Sequence, residues 1–192
     1  PESVGLPVGT IAFGGAFTQH DGTAWWDAAG IVSSKSEEPA DRVWFDDAIP
    51  DGALAEGNSP WEWVSSPAPV HTGARASRRT ANGLSQHFFT GAAEPLVIQP
   101  GDRLYAYVHL DPQEPPRTIM LQWNDGSWEH RVYWGENTIG WGVDGTGSRR
   151  RMGDLPKAGD WTRLEIDARA VDLKPGAKVS GWAFTQFDGN AY

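Results

Sequence analysis

Cysteine is absent from the 192 residues, so no disulfide, no thiolate nucleophile and no cysteine-ligated zinc or iron–sulfur centre can form. Long hydrophobic runs are missing as well: nothing approaches the roughly 18 apolar residues that a membrane-crossing helix needs. Basic residues are the scarcer sign, 16 against 25 acidic, for a formal net charge of -9. That balance repels a phosphate backbone and an anionic bilayer, so the expectation is no nucleic acid and no membrane insertion. The opening residues, PESVGLPVGT, lack the basic start and apolar stretch of a signal peptide. Uninterrupted helical sequence is also rare, because 23 glycines and 14 prolines break nearly every candidate helix.

Tryptophan is what the chain has in excess. Eleven Trp, four Tyr and seven Phe bring the aromatic share to 11%, which excludes disorder of the whole chain. Nine of the eleven Trp lie after residue 42.

The two ends repeat one another. Ala16-Phe17-Thr18-Gln19-His20-Asp21-Gly22-Thr23-Ala24-Trp25 matches Ala183-Phe184-Thr185-Gln186-Phe187-Asp188-Gly189-Asn190-Ala191-Tyr192 at seven of ten positions, and both follow a Leu-Pro or Leu-Lys-Pro segment and a Val-Gly or Pro-Gly turn. Either the first copy is the tail of a preceding tandem unit, or both copies pair in one sheet. The polar stretch Ser33-Ser34-Lys35-Ser36-Glu37-Glu38-Pro39 reads as a linker. The expected organisation is an N-terminal appendage over 1–41 and one domain over 42–192, beside neighbouring domains of a larger protein.

Within that domain the strand signals are dense, over 84–90, 96–99, 103–110, 118–123, 128–134, 161–167 and 179–187, with turns such as Pro100-Gly101-Asp102 and Asn124-Asp125-Gly126-Ser127 between them. In 103–110, Leu104, Ala106, Val108 and Leu110 share one face and Tyr105, Tyr107 and His109 the other. Asn124–Ser127 predicts a tight hairpin with Trp128, His130, Val132 and Trp134 on one face and Glu129, Arg131 and Tyr133 on the other. The basic stretch from Arg75 to Arg79 reads as a hydrated loop or strand edge, and one short helical turn is expected at 167–171. Short strands at even spacing predict an all-β fold, an antiparallel two-sheet β-sandwich of jelly-roll type.

An exposed indole is a natural platform for the apolar face of a pyranose ring. The candidate carbohydrate-binding residues are Trp123, Trp128, Tyr133, Trp134 and Trp141, with Gln122, Glu129 and His130 beside them for the hydroxyls. The alternative is that these rings fill the core, and Trp141, in the glycine-rich run from Ile139 to Ser148, fits a core least well. Asp46, Asp47 and Asp188 could gather oxygen ligands for a structural calcium, or could cap turns through their own backbone. Glu62 and Glu129, with His130, would be the carboxylates and base of a glycoside hydrolase or lyase, although nothing in the spacing brings them together.

Val43-Trp44-Phe45-Asp46-Asp47, Gln86-His87-Phe88-Phe89-Thr90-Gly91, Asp102-Arg103-Leu104-Tyr105-Ala106-Tyr107-Val108, Met120-Leu121-Gln122-Trp123-Asn124 with Trp128-Glu129-His130-Arg131, and Gly181-Trp182-Ala183-Phe184-Thr185 together resemble an uncharacterised β-rich repeat domain of large secreted bacterial proteins, and more loosely the jelly-roll carbohydrate-binding modules. The resemblance covers 42–192. It implies a secreted, extracellular protein, with a structural calcium placed near the terminal strands as in carbohydrate-binding jelly-rolls; the stacked aromatics then make the expected function a non-catalytic module for a β-linked polysaccharide such as β-glucan. A structural or adhesion repeat is the alternative.

Overall fold

The computed structural model describes Asp21, 41–58 and 61–192. The chain divides into two compact units, Pro1–Asp41 and Arg42–Tyr192. The first copy of the terminal repeat lies, apart from Asp21, outside the described residues.

Among the described residues the regular structure of the second unit is all strand apart from one 3-10 turn. In chain order it carries β1 (Leu54–Gly57), β2 (Glu62–Val64), β3 (Ala76–Thr90), β4 (Leu96–Val97), β5 (Arg103–His109), β6 (Thr118–Asn124), β7 (His130–Gly135), β8 (Arg150–Gly153), β9 (Trp161–Asp167), β10 (Lys178–Val179) and β11 (Gly181–Ala191). One large sheet runs β1-β3-β11-β6-β7-β8, with β2 also paired to β3. The long β3 pairs with β2 through its first residues and with β1 through its last, while β11 follows its other side. The opposite layer consists of two short antiparallel ladders, β5 with β9 and β4 with β10.

Alternation explains which side chains meet between the layers. Phe89, Leu121, Trp123, Val132, Trp134 and Trp182 project inward from the large sheet onto Leu104, Leu164, Ile166 and Val179. Trp44, Phe45 and Trp61 pack against this cluster from the segments before β3. The inward row predicted for 103–110 is correct: Leu104 and Leu110 are buried, and Ala106 and Val108 pack on the core. The one helical turn is a 3-10 turn, Ala168–Val171, whose cap Asp167 accepts from the Arg169 N–H. The fold class is thus the all-β sandwich read from the sequence.

Three local expectations differ. The connection after β6 is longer than a tight hairpin: Asn124 Oδ1 accepts from the Gly126 N–H at 3.0 Å, and pairing resumes only with Trp123 opposite His130. Trp128 therefore sits in the connection and not on a strand face. The stretch 75–79 runs into β3, where Arg78 pairs with Glu62 and Arg79 is buried beside Ser85 and His87. β8 escaped notice because Arg150-Arg151-Met152-Gly153 has no alternation, and it joins β7 in parallel.

Candidate functional site

The face of the large sheet turned away from the core is assembled by register. Glu56 on β1 stands opposite Phe88 on β3, Phe88 opposite Ala183 on β11, Ala183 opposite Gln122 on β6, and Gln122 opposite Arg131 on β7. The next row runs Gln86, Thr185, Met120 and Tyr133. Polar groups at the centre are locked to one another: Arg131 Nε donates to Gln122 Oε1 at 2.9 Å, and Gln122 Nε2 donates to Thr185 Oγ1 at 2.7 Å. Arg131 also donates through Nη1 to the Ser148 carbonyl at 3.0 Å and through Nη2 to Glu129 Oε1 at 3.1 Å. Gln122 is only 2% exposed, so this network holds fixed orientations, as a fully satisfied buried polar chain does.

Two rings flank the network on its β3 side. Phe88 is half-buried, and the Trp128 ring meets it edge-on, centroids 5.4 Å apart. The small residues of β11 make room for this: a Cβ on Gly181 would lie 3.4 Å from Trp128 Cη2 and 2.7 Å from the Phe89 carbonyl oxygen. Glu56 and Glu129 are exposed at the rim. Arg131 holds the Glu129 carboxyl below its usual range, first by the hydrogen bond and then by charge, so Glu129 stays an anion and a hydrogen-bond acceptor.

The loop 136–149 closes the other side of the face. Ile139 is buried with Met120 and Tyr133, and Trp141 and Phe187 pack against them. Tyr133 Oη donates to Asp144 Oδ1 at 3.1 Å, and Asn137 Nδ2 donates to Asp144 Oδ2 at 3.1 Å. Burial, then the bond to Asp144, raises the Tyr133 phenol. Gly142, at φ 75°, brings the loop so close that a Cβ would lie 2.3 Å from the Ser148 carbonyl oxygen. The loop is therefore pinned by backbone contact as well as by side chains.

Of the sequence-derived candidates, the structure brings Gln122, Trp128, Glu129, Tyr133 and Trp141 to this face. Trp123 and Trp134 are corrections. Trp123 is 0% exposed and edge-on to Trp182 at 5.2 Å, and Trp134 is 8% exposed. Both face the inter-sheet core, where no ligand can stack. His130 is likewise structural: Nδ1 lies 2.6 Å from the Val171 carbonyl oxygen and Nε2 3.0 Å from Asp125 Oδ1, tying the β6–β7 connection to the 3-10 turn. Tyr133 is buried under the loop and contributes position, not a stacking surface.

The three aspartates do not converge. Asp46 Oδ2 accepts from Thr72 Oγ1 at 3.1 Å, and Asp47 Oδ1 accepts the N–H groups of Ala74 and Arg75 at 2.8 and 2.7 Å, which lower the Asp47 carboxyl. Asp188 Oδ1 instead accepts the Gly83 N–H at 2.6 Å, with Arg117 3.7 Å from its other oxygen. Asp47 and Asp188 thus cap backbone N–H groups distant in the sequence and Asp46 holds a threonine hydroxyl, and among the described residues no cluster of three or more His, Asp or Glu side chains could hold a metal ion. Glu62 is paired with Arg78 on β2 and β3, while Glu129 is held anionic in the β6–β7 connection. A general acid needs the opposite shift.

Phe88, Gln86, Arg131 and Thr185 belong to the face without having been singled out. Their signal was present, because Gln86 and Phe88 alternate with buried Ser85, His87 and Phe89. What the sequence withholds is which strands adjoin, since β3 and β11 are far apart along the chain. An open groove of about 660 Å³ lies elsewhere, among Pro115, Arg117, Glu136, Arg151, Asp154 and Leu155. Its charges are closed on one another, Arg117 on Glu136 at 2.5 Å and Arg151 on Asp154 at 2.7 Å.

No protein-family model matches the chain, and no curated protein matches it. Solved structures do. One, from work on the promiscuous specificity of carbohydrate-binding modules of the β-sandwich superfamily, is similar over 76% of this chain and 54% of its own, with 13% identity and a TM-score of 0.44. The chain thus spans about half the length of that structure. Another, TmCBM61 in complex with β-1,4-galactotriose, is similar over 74% of this chain and 88% of its own, with 12% identity and a TM-score of 0.39.

Proposed function

We propose that this protein is a non-catalytic carbohydrate-binding module that holds a β-linked polysaccharide such as a β-glucan against the outer face of its large sheet. The observation that carries the reading is the pairing there of two half-buried rings, Phe88 and Trp128, edge to face, with the exposed carboxylates of Glu56 and Glu129, over a buried Arg131–Gln122–Thr185 network that holds the strands in register. A pyranose presents an apolar C–H face and a ring of hydroxyls. Rings take the first by dispersion, and exposed amides and carboxylates take the second, directly or through water. Trp128 and Trp141 are the stacking rings of the proposal, with Gln86 and Glu129 as hydroxyl partners and the buried Gln122 as the support that fixes the strands beneath them.

An uncharged glycan needs no basic surface, which suits a chain of formal charge -9. Such ligands lie outside the cell, and the module would be one secreted domain among others that share its polypeptide. Retention on insoluble cellulose, chitin, xylan and mannan, with soluble pectin and β-glucan in affinity gels, tests the reading. Binding to at least one that is lost in Trp128→Ala is expected; failure of every glycan to retain the wild-type protein overturns it.

A further inference from the structure

Aligned without gaps, 4–24 and 171–191 share eleven residues in twenty-one positions, and the second copy is fully described. Each identity falls on a position with a physical demand. Val171 and Leu173 are completely buried, as is Ala183. Gly176 has φ 89°. A Cβ on Gly181 would strike the Phe89 carbonyl oxygen. Phe184 packs on Phe45 and Trp61, and Thr185 takes the Gln122 amide. Gln186 Nε2 donates to the carbonyls of Asp188 and Gly189 at 3.0 and 2.7 Å. Asp188 is left-handed and caps the Gly83 N–H. Gly189, at φ 68°, leaves only 2.4 Å between a built Cβ and Pro115 C, and Ala191 is buried.

The described residue of the first copy repeats this: Asp21 has φ 60°, and its counterpart Asp188 has φ 59°. Non-glycine residues rarely adopt that conformation. A string fitted in its first half to the segment after the 3-10 turn, and in its second half to the slot between β3 and β6, therefore occurs twice in the chain.

The differences decide whose slot the first copy fits. Trp182 stands in the core against Trp44, Phe45 and Trp123, and its counterpart is Gly15. Seated in place of β11, the first copy would leave a tryptophan-sized void there, and His20 would replace Phe187, which lies under the Arg117 guanidinium. The same backbone demands with a different core describe a sister domain. We propose that residues 4–24 are the C-terminal segment of a second domain of this fold that precedes this one in the same polypeptide, its second half matching the closing strand β11, so that a neighbouring copy of the fold is this module's partner. This stands apart from glycan binding.

Two matched glycine variants test it. In the 192-residue chain, Gly189→Val should lower the melting temperature by more than about 5 °C, with Gly189→Ala as the milder variant should valine abolish folding. Gly22→Val should leave that melting temperature unchanged. In the polypeptide extended upstream by one repeat of 167 residues (171 minus 4), Gly22→Val should shift one of two unfolding transitions and spare the other. Amide exchange of 16–24 should slow there to the level of 183–191. Destabilisation of the shorter chain by Gly22→Val as large as by Gly189→Val overturns the proposal, as does a longer chain in which Gly22→Val moves neither transition.

Discussion

Arg79 Nε donates a hydrogen bond to His87 Nδ1 across 3.0 Å inside the sandwich, so His87 holds its own proton on Nε2. Arg79 is 5% and His87 3% exposed. Trp61 stacks on the imidazole at 4.2 Å, and Arg79 Nη1 donates to Ser85 Oγ while Nη2 finds no partner among the described residues. Burial pushes the guanidinium down to about 10. Burial first, and the charge of Arg79 second, push the imidazole down to about 3.

Stability should therefore depend on pH in mild acid. Above the ordinary histidine value of 6.5 both folded and unfolded chains carry a neutral His87; below it the unfolded chain takes a proton that the folded one refuses until about 3. The folded state then loses up to about 1.4 kcal/mol per pH unit, or about 2 kcal/mol between pH 7 and pH 5. Urea unfolding at those two pH values measures the loss. His87→Gln keeps an acceptor for Arg79 and should flatten the dependence; an equal slope in the variant would place its source elsewhere.

Truncating the tryptophans should separate surface from core. Trp123→Ala should destabilise the domain by about 3–5 kcal/mol, because it empties a site closed on all sides. Trp128→Ala and Phe88→Ala should cost far less and should each weaken glycan retention at least about tenfold, roughly the worth of one ring contact in binding. Paired melting and affinity-gel measurements on the three variants check this. A Trp128→Ala protein that melts normally and binds as wild type would remove that ring from the proposed platform.

Gln122 is the joint of the outer network. Gln122→Leu leaves Arg131 Nε and Thr185 Oγ1 without their partner and should cost about 1–3 kcal/mol. Gln122→Glu keeps an acceptor for Arg131, so denaturant titration should find it closer to wild type than the leucine variant. The reverse order would mean that shape, and not hydrogen bonding, sets this position.

Asp188 should behave as a cap and not as a cation ligand. Asp188→Ala loses the bond to the Gly83 N–H and keeps a left-handed backbone, for an expected loss of about 1–2 kcal/mol. Asp188→Asn can still accept that bond and tolerates the same φ, so it should be nearly neutral. With Asp46 and Asp47 already bound to Thr72, Ala74 and Arg75, a chelator should leave the melting temperature unchanged. A fall on chelation that Asp188→Asn abolishes would instead mark a metal site.

Period-two alternation made much of the sandwich legible in the chain, because β5, β9 and the second half of β3 each have one face in the core. It failed where both faces are covered. Every residue of β6 from Thr118 to Trp123 is buried, so alternation there states two environments without telling which is the outer one. Trp123 and Trp134 read as surface for that reason, and Trp128 reads as a strand residue because Asn124–Ser127 predicts a tight hairpin where the connection is longer. Arg79 defied its own composition, since an arginine beside Arg78 in a basic run gives no sign of burial. Phe88 and Gln122 flank Ala183 of β11 on either side, a relation that exists only once the strand from the far end of the chain has been laid between them.

β11 is the final strand of the domain and lies between β3 and β6. A ribosome therefore releases β3 and β6 long before the strand that joins them, and until then each shows an unpaired edge. The sheet cannot close during synthesis of the domain; it closes after it, in a single late step of high contact order that folds slowly. Substitutions in β11 should thus alter the yield of folded protein in cells more than they alter the melting point of what does fold.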